Sequence, residues 1–143
     1  MTIATILRNK GTDVISVGPD EELGKVAQTM VRHRLGAVLV RGPAGEVLGI
    51  VSERDIVRAL AEEDGVLAGQ TAADVMTRKL FTATPDMPIT RALEMMTDRR
   101  VRHLPVMEGE TLRGIVSIGD LVKARIEEAV GEAAALRDYV TTG

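Results

Sequence analysis

The sequence predicts an α/β (α+β) fold in which one β-α-β-β-α unit occurs twice. Two observations predict it: the stretch GIVSERD at residues 49–55 returns as GIVSIGD at 114–120, and Pro19-Asp20 returns as Pro85-Asp86. The interval of 65 residues, from 49 to 114, exceeds the roughly 20–50 residues of solenoid repeats. We therefore expect two subdomains that are related by a pseudo-twofold axis and packed sheet to sheet.

Each copy shows the same order of helical and extended patterns. Apolar residues recur at helical spacing at Leu23, Val26, Ala27, Met30 and Val31, and again at Ile89, Ala92, Leu93 and Met96. The short apolar runs AVLV (37–40) and LPV (104–106) predict strands, and turn residues lead from each run into a second strand that ends in GIVS. A second helix is predicted to begin at the serine of that motif.

These patterns place the first repeat at residues 1–66, the second at 67–127 and a helical extension at 128–143, with a polar linker near 64–72. The extension continues an apolar stripe formed by Ile126, Ala129, Val130, Ala133, Leu136 and Val140. We expect this stripe to pack on another subunit or across the module, although Gly131 weakens the helix. The methionines fit core packing better than an adaptable partner surface, because Met30 and Met96 occupy equivalent positions on the apolar stripes.

Composition excludes several classes of function. With 143 residues, 45% of them hydrophobic and 27% charged, the chain suits a globular core, and the absence of cysteine excludes disulfides and thiolate sites. A net charge of −3, with Phe81 and Tyr139 as the only aromatic residues, argues against nucleic acid as a partner. Because the apolar runs are shorter than the roughly 20 residues of a membrane helix and no secretory signal is recognisable, we expect a cytoplasmic protein without a membrane partner.

The motif Ser-x-x-Asp at the start of each second helix admits two interpretations. Ser52 with Asp55, and Ser117 with Asp120, resemble a capping box, in which the serine and an acid three residues later satisfy backbone amides. The same geometry suits a ligand, because a helix N-terminus attracts phosphate and a carboxylate accepts hydrogen bonds from the two hydroxyls of a ribose. The two interpretations are compatible, since a cap can also bind a ligand.

The two copies together resemble a tandem pair of cystathionine-β-synthase (CBS) domains, an arrangement called a Bateman module. The resemblance covers about residues 5–127 and includes DVMTRKLFTATPD at 74–86 and VRHLPV at 101–106. It implies a regulatory module that binds an adenosine-containing nucleotide such as AMP, ATP or NAD in clefts between the repeats. It also implies a homodimer and a separate effector enzyme or transporter.

The resemblance implies composite clefts, in which the ribose-binding aspartate of one repeat faces the first strand of the other. The candidate residues of the first cleft are Asp120, Ser117, Ile118, Arg102, His103, Thr12, Val14 and Ile15, and those of the second are Asp55, Ser52, Arg54, Lys79 and Leu80. The aspartates are assigned to the ribose and the serines to the neighbourhood of the phosphate. No metal and no cofactor other than the regulatory nucleotide are expected.

Charge distinguishes the two clefts. Arg102 is the first choice for the phosphate, because the resemblance implies a phosphate-binding basic residue at its position and its guanidinium is a fixed fork of donors; the alternative is a solvated arginine in a loop. His103 beside it is either a neutral hydrogen-bond partner or a ligand contact. The equivalent positions of the first copy are Gly36 and Ala37. We therefore expect tighter binding in the cleft of Asp120.

Ligand sensing, transmitted through conformation or dimer packing, is the preferred function. The sequence shows neither a nucleophile with an adjacent base nor a set of metal ligands, so the chain is not expected to be an enzyme. The alternative is a ligand-independent interaction or scaffold protein that regulates a separate enzyme or transporter.

Overall fold

The computed structural model describes residues 1–62, 65 and 67–142, which form two compact units. We call residues 14–80 the central unit, and residues 1–13 together with the chain from Phe81 onward the terminal unit. In chain order the elements are α1 (Ile3–Lys10), β1 (Ser16–Val17), α2 (Leu23–His33), β2 (Ala37–Arg41), β3 (Val47–Ser52), α3 (Glu53–Glu62), α4 (Ala72–Val75), α5 (Ile89–Arg99), β4 (His103–Glu108), β5 (Thr111–Ser117) and α6 (Ile118–Thr142).

The central unit confirms the predicted β-α-β-β-α order. Its sheet has the order β1-β2-β3, with β1 parallel and β3 antiparallel to β2. The core of this unit is formed by Val17, Leu23, Val26, Met30, Val38, Val40, Val51, Ala59, Ala72 and Met76. Burial of Met30 and Met76, and of Met96 in the other unit, confirms the core interpretation of these methionines.

The terminal unit repeats this order with a shorter first strand. Its two-stranded sheet pairs β4 with β5 antiparallel, and the first strand is reduced to one parallel bridge between Ala83 and Val106. That bridge corresponds to the pair Val17–Val40 of the central unit. Pro105 explains the difference. It occupies the position that Leu39 has in β2, and because proline has no N–H, the parallel hydrogen-bonded pairing cannot continue toward Phe81.

The glycine of each GIVS motif lies under a segment that precedes the first strand of a repeat. A Cβ on Gly114 in β5 would lie 2.7 Å from Leu7 Cδ2 of α1, a helix whose face of Ile3, Ile6 and Leu7 is buried in the terminal unit. A Cβ on Gly49 in β3 would lie 2.8 Å from the carbonyl oxygen of Thr77, which pairs with Ile50. Close approach of a second layer therefore explains why glycine occurs in both copies.

Helix α6 confirms the predicted C-terminal helical extension. It runs unbroken through Gly131, and only its first part is buried, at Leu121 and Ala124. The two compact units are defined by contacts and not by the sequence repeat, so they do not test the predicted repeat boundaries of 1–66, 67–127 and 128–143. These boundaries stay a prediction, and so does the packing of the two sheets against each other. The predicted linker near 64–72 lies partly outside the described residues, at 64 and 66.

Candidate functional site

Each Ser-x-x-Asp motif forms a reciprocal cap at a strand-to-helix junction without an intervening loop. The Ser117 amide donates to Asp120 Oδ2 at 2.8 Å, and the Asp120 amide donates to Ser117 Oγ at 3.1 Å. The Ser52 amide donates to Asp55 Oδ2 at 2.8 Å, and the Asp55 amide donates to Ser52 Oγ at 3.2 Å. The capping interpretation is therefore confirmed in both copies.

The two carboxylates differ in their access to solvent. The side chain of Asp120 is 26% exposed, whereas that of Asp55 is 8% exposed. Asp55 Oδ2 also accepts a hydrogen bond from Ser52 Oγ at 2.9 Å. The carboxylate of Asp120 is thus the one that a ligand reaches with less rearrangement within its own unit.

A lysine that the sequence analysis did not single out completes the surroundings of Asp120. Lys10 is the last residue of α1, and its Nζ donates to Asp120 Oδ2 at 2.7 Å and to the carbonyl oxygen of Ile115 at 2.9 Å. Lys10 and Asp120 are 110 positions apart, so no local motif signals their contact. The nearest cation of Asp55 is Arg58, which lies one turn along the same helix with Nη1 3.7 Å from Oδ1.

Lys10 also sets the ionisation of Asp120. Partial burial raises the pKa of this carboxyl group, but the hydrogen bonds from Lys10 and Ser117 and the positive charge of Lys10 lower it, and the net result is a pKa below the ordinary value of 3.8. Asp120 therefore stays ionised at neutral pH. An ionised carboxylate accepts hydrogen bonds and donates none, which suits a partner rich in hydroxyl donors.

Arg102 and His103 lie beside this junction. The Ile118 amide donates to the carbonyl oxygen of Arg102 at 2.8 Å, and His103 at the start of β4 pairs with Ser117. Arg102 is exposed, His103 is half-buried and Ile118 is 39% exposed. The terminal unit thus brings five predicted residues together around the first turn of α6: Asp120, Ser117, Ile118, Arg102 and His103.

The first copy has the same backbone arrangement without the arginine. The Glu53 amide donates to the carbonyl oxygen of Gly36 at 3.0 Å, and Ala37 pairs with Ser52. The predicted equivalence of Gly36 with Arg102, and of Ala37 with His103, is therefore confirmed. Arg54 is exposed in the first turn of α3.

The helix N-terminus itself offers fewer free donors than its sequence suggests. The amides of Ser117, Ile118 and Asp120 are all bonded within the unit, which leaves the Gly119 amide without an acceptor among the described residues. An incoming phosphate would therefore depend mainly on side-chain cations rather than on the backbone of α6.

The other predicted residues lie in irregular segments. Thr12 belongs to the terminal unit, and Val14 and Ile15 belong to the central unit, in the stretch that precedes β1 at Ser16. Lys79 and Leu80 belong to the central unit, after the bridge between Ile50 and Thr77. The strands expected near 12–15 and 79–81 thus begin later, at Ser16 and Ala83, and the composite clefts stay a prediction.

Two further features of the described residues bear on the class of site. None of the described helices is both long and apolar enough to span a membrane. Across residues 1–62, 65 and 67–142, no group of three or more histidine, aspartate or glutamate side chains is arranged to hold a metal ion.

Comparisons with known proteins identify relatives over nearly the whole chain. The sequence model of the CBS domain matches residues 9–62 and 72–127. CBS domain-containing protein CBSX3, mitochondrial, of Arabidopsis thaliana is 32% identical over an alignment of 150 positions, which covers 99% of this chain and 73% of that protein. The crystal structure of the CBS-domain containing protein ATU1752 from Agrobacterium tumefaciens is 41% identical with a TM-score of 0.84, and the match covers 87% of this chain and 92% of that one.

A more distant structure shares the fold. The CBS domain pair of protein MJ0100, solved in complex with 5'-methylthioadenosine and S-adenosyl-L-methionine, matches with a TM-score of 0.79 over 90% of this chain and 98% of that chain. At 22% identity this likeness shows the fold alone.

Proposed function

The chain belongs to the CBS domain family, and from that premise we propose that it is a regulatory module that binds an adenosine-containing nucleotide, with Asp120 as the ribose anchor. Pairs of CBS domains are regulatory ligand-binding modules, and stand-alone CBS domain proteins are typically regulatory rather than catalytic. AMP, ATP and NAD(H) are the proposed ligands, and a cytoplasmic homodimer that signals through conformation or dimer packing is the proposed state.

The carboxylate of Asp120 is the observation that carries this proposal. It is ionised, partly exposed and held in place by the Ser117 amide and Lys10, both of which donate to Oδ2. No donor to Oδ1 is found among the described residues, so this oxygen is available to a ligand. A fixed carboxylate with a free oxygen suits the two hydroxyls of a ribose, which donate hydrogen bonds to an acid in other nucleotide-binding folds.

Two cations beside Asp120 support a phosphate-bearing ligand. Arg102 is exposed and joined through its backbone to the first turn of α6, and Lys10 contacts Asp120 directly. Guanidinium groups bind phosphate through paired, charge-assisted hydrogen bonds, and an ammonium group acts as a point charge. This arrangement favours nucleotides over nucleosides.

The structure of MJ0100 supports the adenosine part of the proposal by analogy of fold. Its two ligands, 5'-methylthioadenosine and S-adenosyl-L-methionine, share an adenosine group. The CBS pair fold therefore has room for adenosine.

Calorimetric titration of the full chain with AMP, ATP and NADH tests the proposal, with Asp120→Asn as the variant. The substitution keeps the shape of the side chain but removes its charge, so we expect it to weaken binding by about 1–3 kcal/mol, which is the typical cost of a lost charged hydrogen bond. Thermal unfolding gives a second measurement, because a ligand at a hundredfold excess over Kd adds about 2.7 kcal/mol to the free energy of unfolding.

Asp55→Asn is the matched control for this titration. The carboxylate of Asp55 is more deeply buried, and its copy lacks an arginine at Gly36. We therefore expect the control to weaken nucleotide binding less than Asp120→Asn does. Equal affinities of Asp120→Asn and the unaltered chain would reject the ribose assignment.

The scaffold alternative is supported by a specific observation as well. The caps already give both aspartates a structural role that needs no ligand, and Asp120 has a second such role in its ion pair with Lys10. If this alternative is correct, none of the three nucleotides binds the unaltered chain. An effector enzyme or transporter would then be recognised through the surface of the protein alone.

A further inference from the structure

Helix α6 carries an exposed apolar seam with coiled-coil spacing from its second turn to its end. The seam consists of Val122, Ile126, Ala129, Ala133, Leu136 and Val140, which follow one another at intervals of four, three, four, three and four residues. All six are exposed, and the larger ones range from 44% exposed at Val122 to 70% at Val140. A repeat that averages 3.5 residues keeps one stripe of side chains facing a partner helix over its whole length.

This seam lies on a different side of α6 from the face that packs in the terminal unit. The buried residues of the helix are Leu121 and Ala124. At about 100° of rotation per residue, their mean direction is roughly 130° from that of the seam. The terminal unit therefore leaves the seam uncovered, and from Ile126 onward its large apolar side chains are more than half exposed.

The residue types along the seam favour a two-stranded parallel coiled coil. If Ile126 is an a position, the a positions are Ile126, Ala133 and Val140, and the d positions are Val122, Ala129 and Leu136. Ile126 and Val140 are β-branched residues at a, and Leu136 is a leucine at d, which is the combination that favours two parallel strands. The alanines in the middle permit close approach of two helices, and Gly131 falls at an outward f position where it removes no contact from the seam.

Charges beside the seam distinguish the two possible orientations. In the parallel, in-register arrangement, Glu132 at g lies next to Arg137 of the partner subunit at e, and the two-fold symmetry forms this attractive pair twice. The antiparallel arrangement that overlaps the whole seam places Glu132 next to Glu132 of the partner subunit. It also places Lys123 next to Arg137 of the partner subunit, so both of the contacts between charged residues repel.

We propose that a second copy of this chain covers the seam, so that residues 122–140 of two chains form a parallel, in-register coiled coil. The interface joins two terminal units along a two-fold axis parallel to α6. It requires no nucleotide and therefore does not depend on the proposed ligand site.

Cysteine cross-linking of the full chain tests the orientation, because the sequence contains no other cysteine. In the parallel dimer, residue 133 faces residue 133 of the second chain, so Ala133→Cys should form an interchain disulfide under copper–phenanthroline oxidation. Ala134→Cys is the control at a b position on the outside of the helix, and we expect it to cross-link at least about tenfold more slowly. Equal rates for the two variants would overturn the proposal.

A mixture of Ala129→Cys and Ala133→Cys chains tests the antiparallel alternative. The antiparallel seam places residue 129 opposite residue 133, so a mixed disulfide that forms faster than either single-site disulfide would contradict the parallel arrangement.

Charge reversal tests the role of the flanking pair, with the dimer dissociation constant measured by sedimentation equilibrium. Glu132→Arg places two arginines together on each side of the coil and should raise this constant about tenfold, which corresponds to about 1.4 kcal/mol. The double variant Glu132→Arg with Arg137→Glu restores opposite charges and should recover the original constant. A double variant as weak as the single one, or a chain that is monomeric at tens of micromolar, would disprove the proposed interface.

Discussion

At the scale of single residues, Lys10 distinguishes the surroundings of Asp120 from those of Asp55. Both aspartates cap a helix in the same way, yet only Asp120 has a lysine at 2.7 Å that comes from another helix. A ligand that binds Asp120 must share the carboxylate with Lys10 or displace it. Nucleotide binding would then change the contacts of α1, because Lys10 is the last residue of that helix.

We predict that Lys10→Met lowers the free energy of unfolding by about 0.5–1 kcal/mol at neutral pH, since the pair is partly exposed and solvent screens it. The folded-state pKa of Asp120 lies below its ordinary value of 3.8, so the stabilisation is present at pH values above 3.8 and is lost as the pH falls through the folded pKa. Urea unfolding of the two proteins between pH 2 and 7 measures this difference.

Arg8→Met is the control for the lysine variant, because it removes one positive charge from the same helix without touching Asp120. The control should leave the decrease of the free energy of unfolding at acidic pH unchanged. A Lys10→Met curve that runs parallel to that of the unaltered chain down to pH 2 would show that Lys10 does not hold the carboxylate.

At the scale of elements, the sequence predicts the repeated order well, because that order depends on local patterns. The apolar stripes, the turns and the Ser-x-x-Asp caps each lie within a few residues of one another. Both first strands begin later than expected, at Ser16 and Ala83, and the second is also shortened by the missing N–H of Pro105, about twenty residues away. The contact of Lys10 with Asp120 depends on tertiary packing and has no local signature.

Helices α2 and α5 end in the same strained way, which suggests a stabilising substitution. Arg34 and Arg100 both adopt a left-handed conformation, with φ of 56° and 54°. Glycine adopts this conformation without the steric cost of a Cβ, so Arg34→Gly should raise the free energy of unfolding by about 0.5–1 kcal/mol. Arg32→Gly, in the last turn of the same helix, should lower it by about 1 kcal/mol. Chemical unfolding of both variants checks the opposite signs.

At the scale of the whole molecule, the compact units do not follow the order of the chain. The N-terminal helix α1 lies in the same unit as β4, β5 and α6, whereas α4 lies in the same unit as β3. The sequence repeat could not reveal this grouping, because it compares residues 65 positions apart rather than the segments that flank them. The flanking segments pack against the two glycines: the segment at Thr77 lies over Gly49, and α1 lies over Gly114.

A double-mutant cycle tests this grouping. Gly114→Ala should cost about 1–3 kcal/mol, because the new methyl group would lie 2.7 Å from Leu7 Cδ2, and Leu7→Ala should cost about 2–5 kcal/mol, because Leu7 is buried. The double variant should cost at least about 1 kcal/mol less than the sum, since removal of the leucine methyls makes room for the new one. Leu7→Ala should give no such relief to Gly49→Ala, whose methyl group meets the backbone oxygen of Thr77 instead. Additive costs for Gly114→Ala and Leu7→Ala would mean that α1 does not pack on β5 in solution.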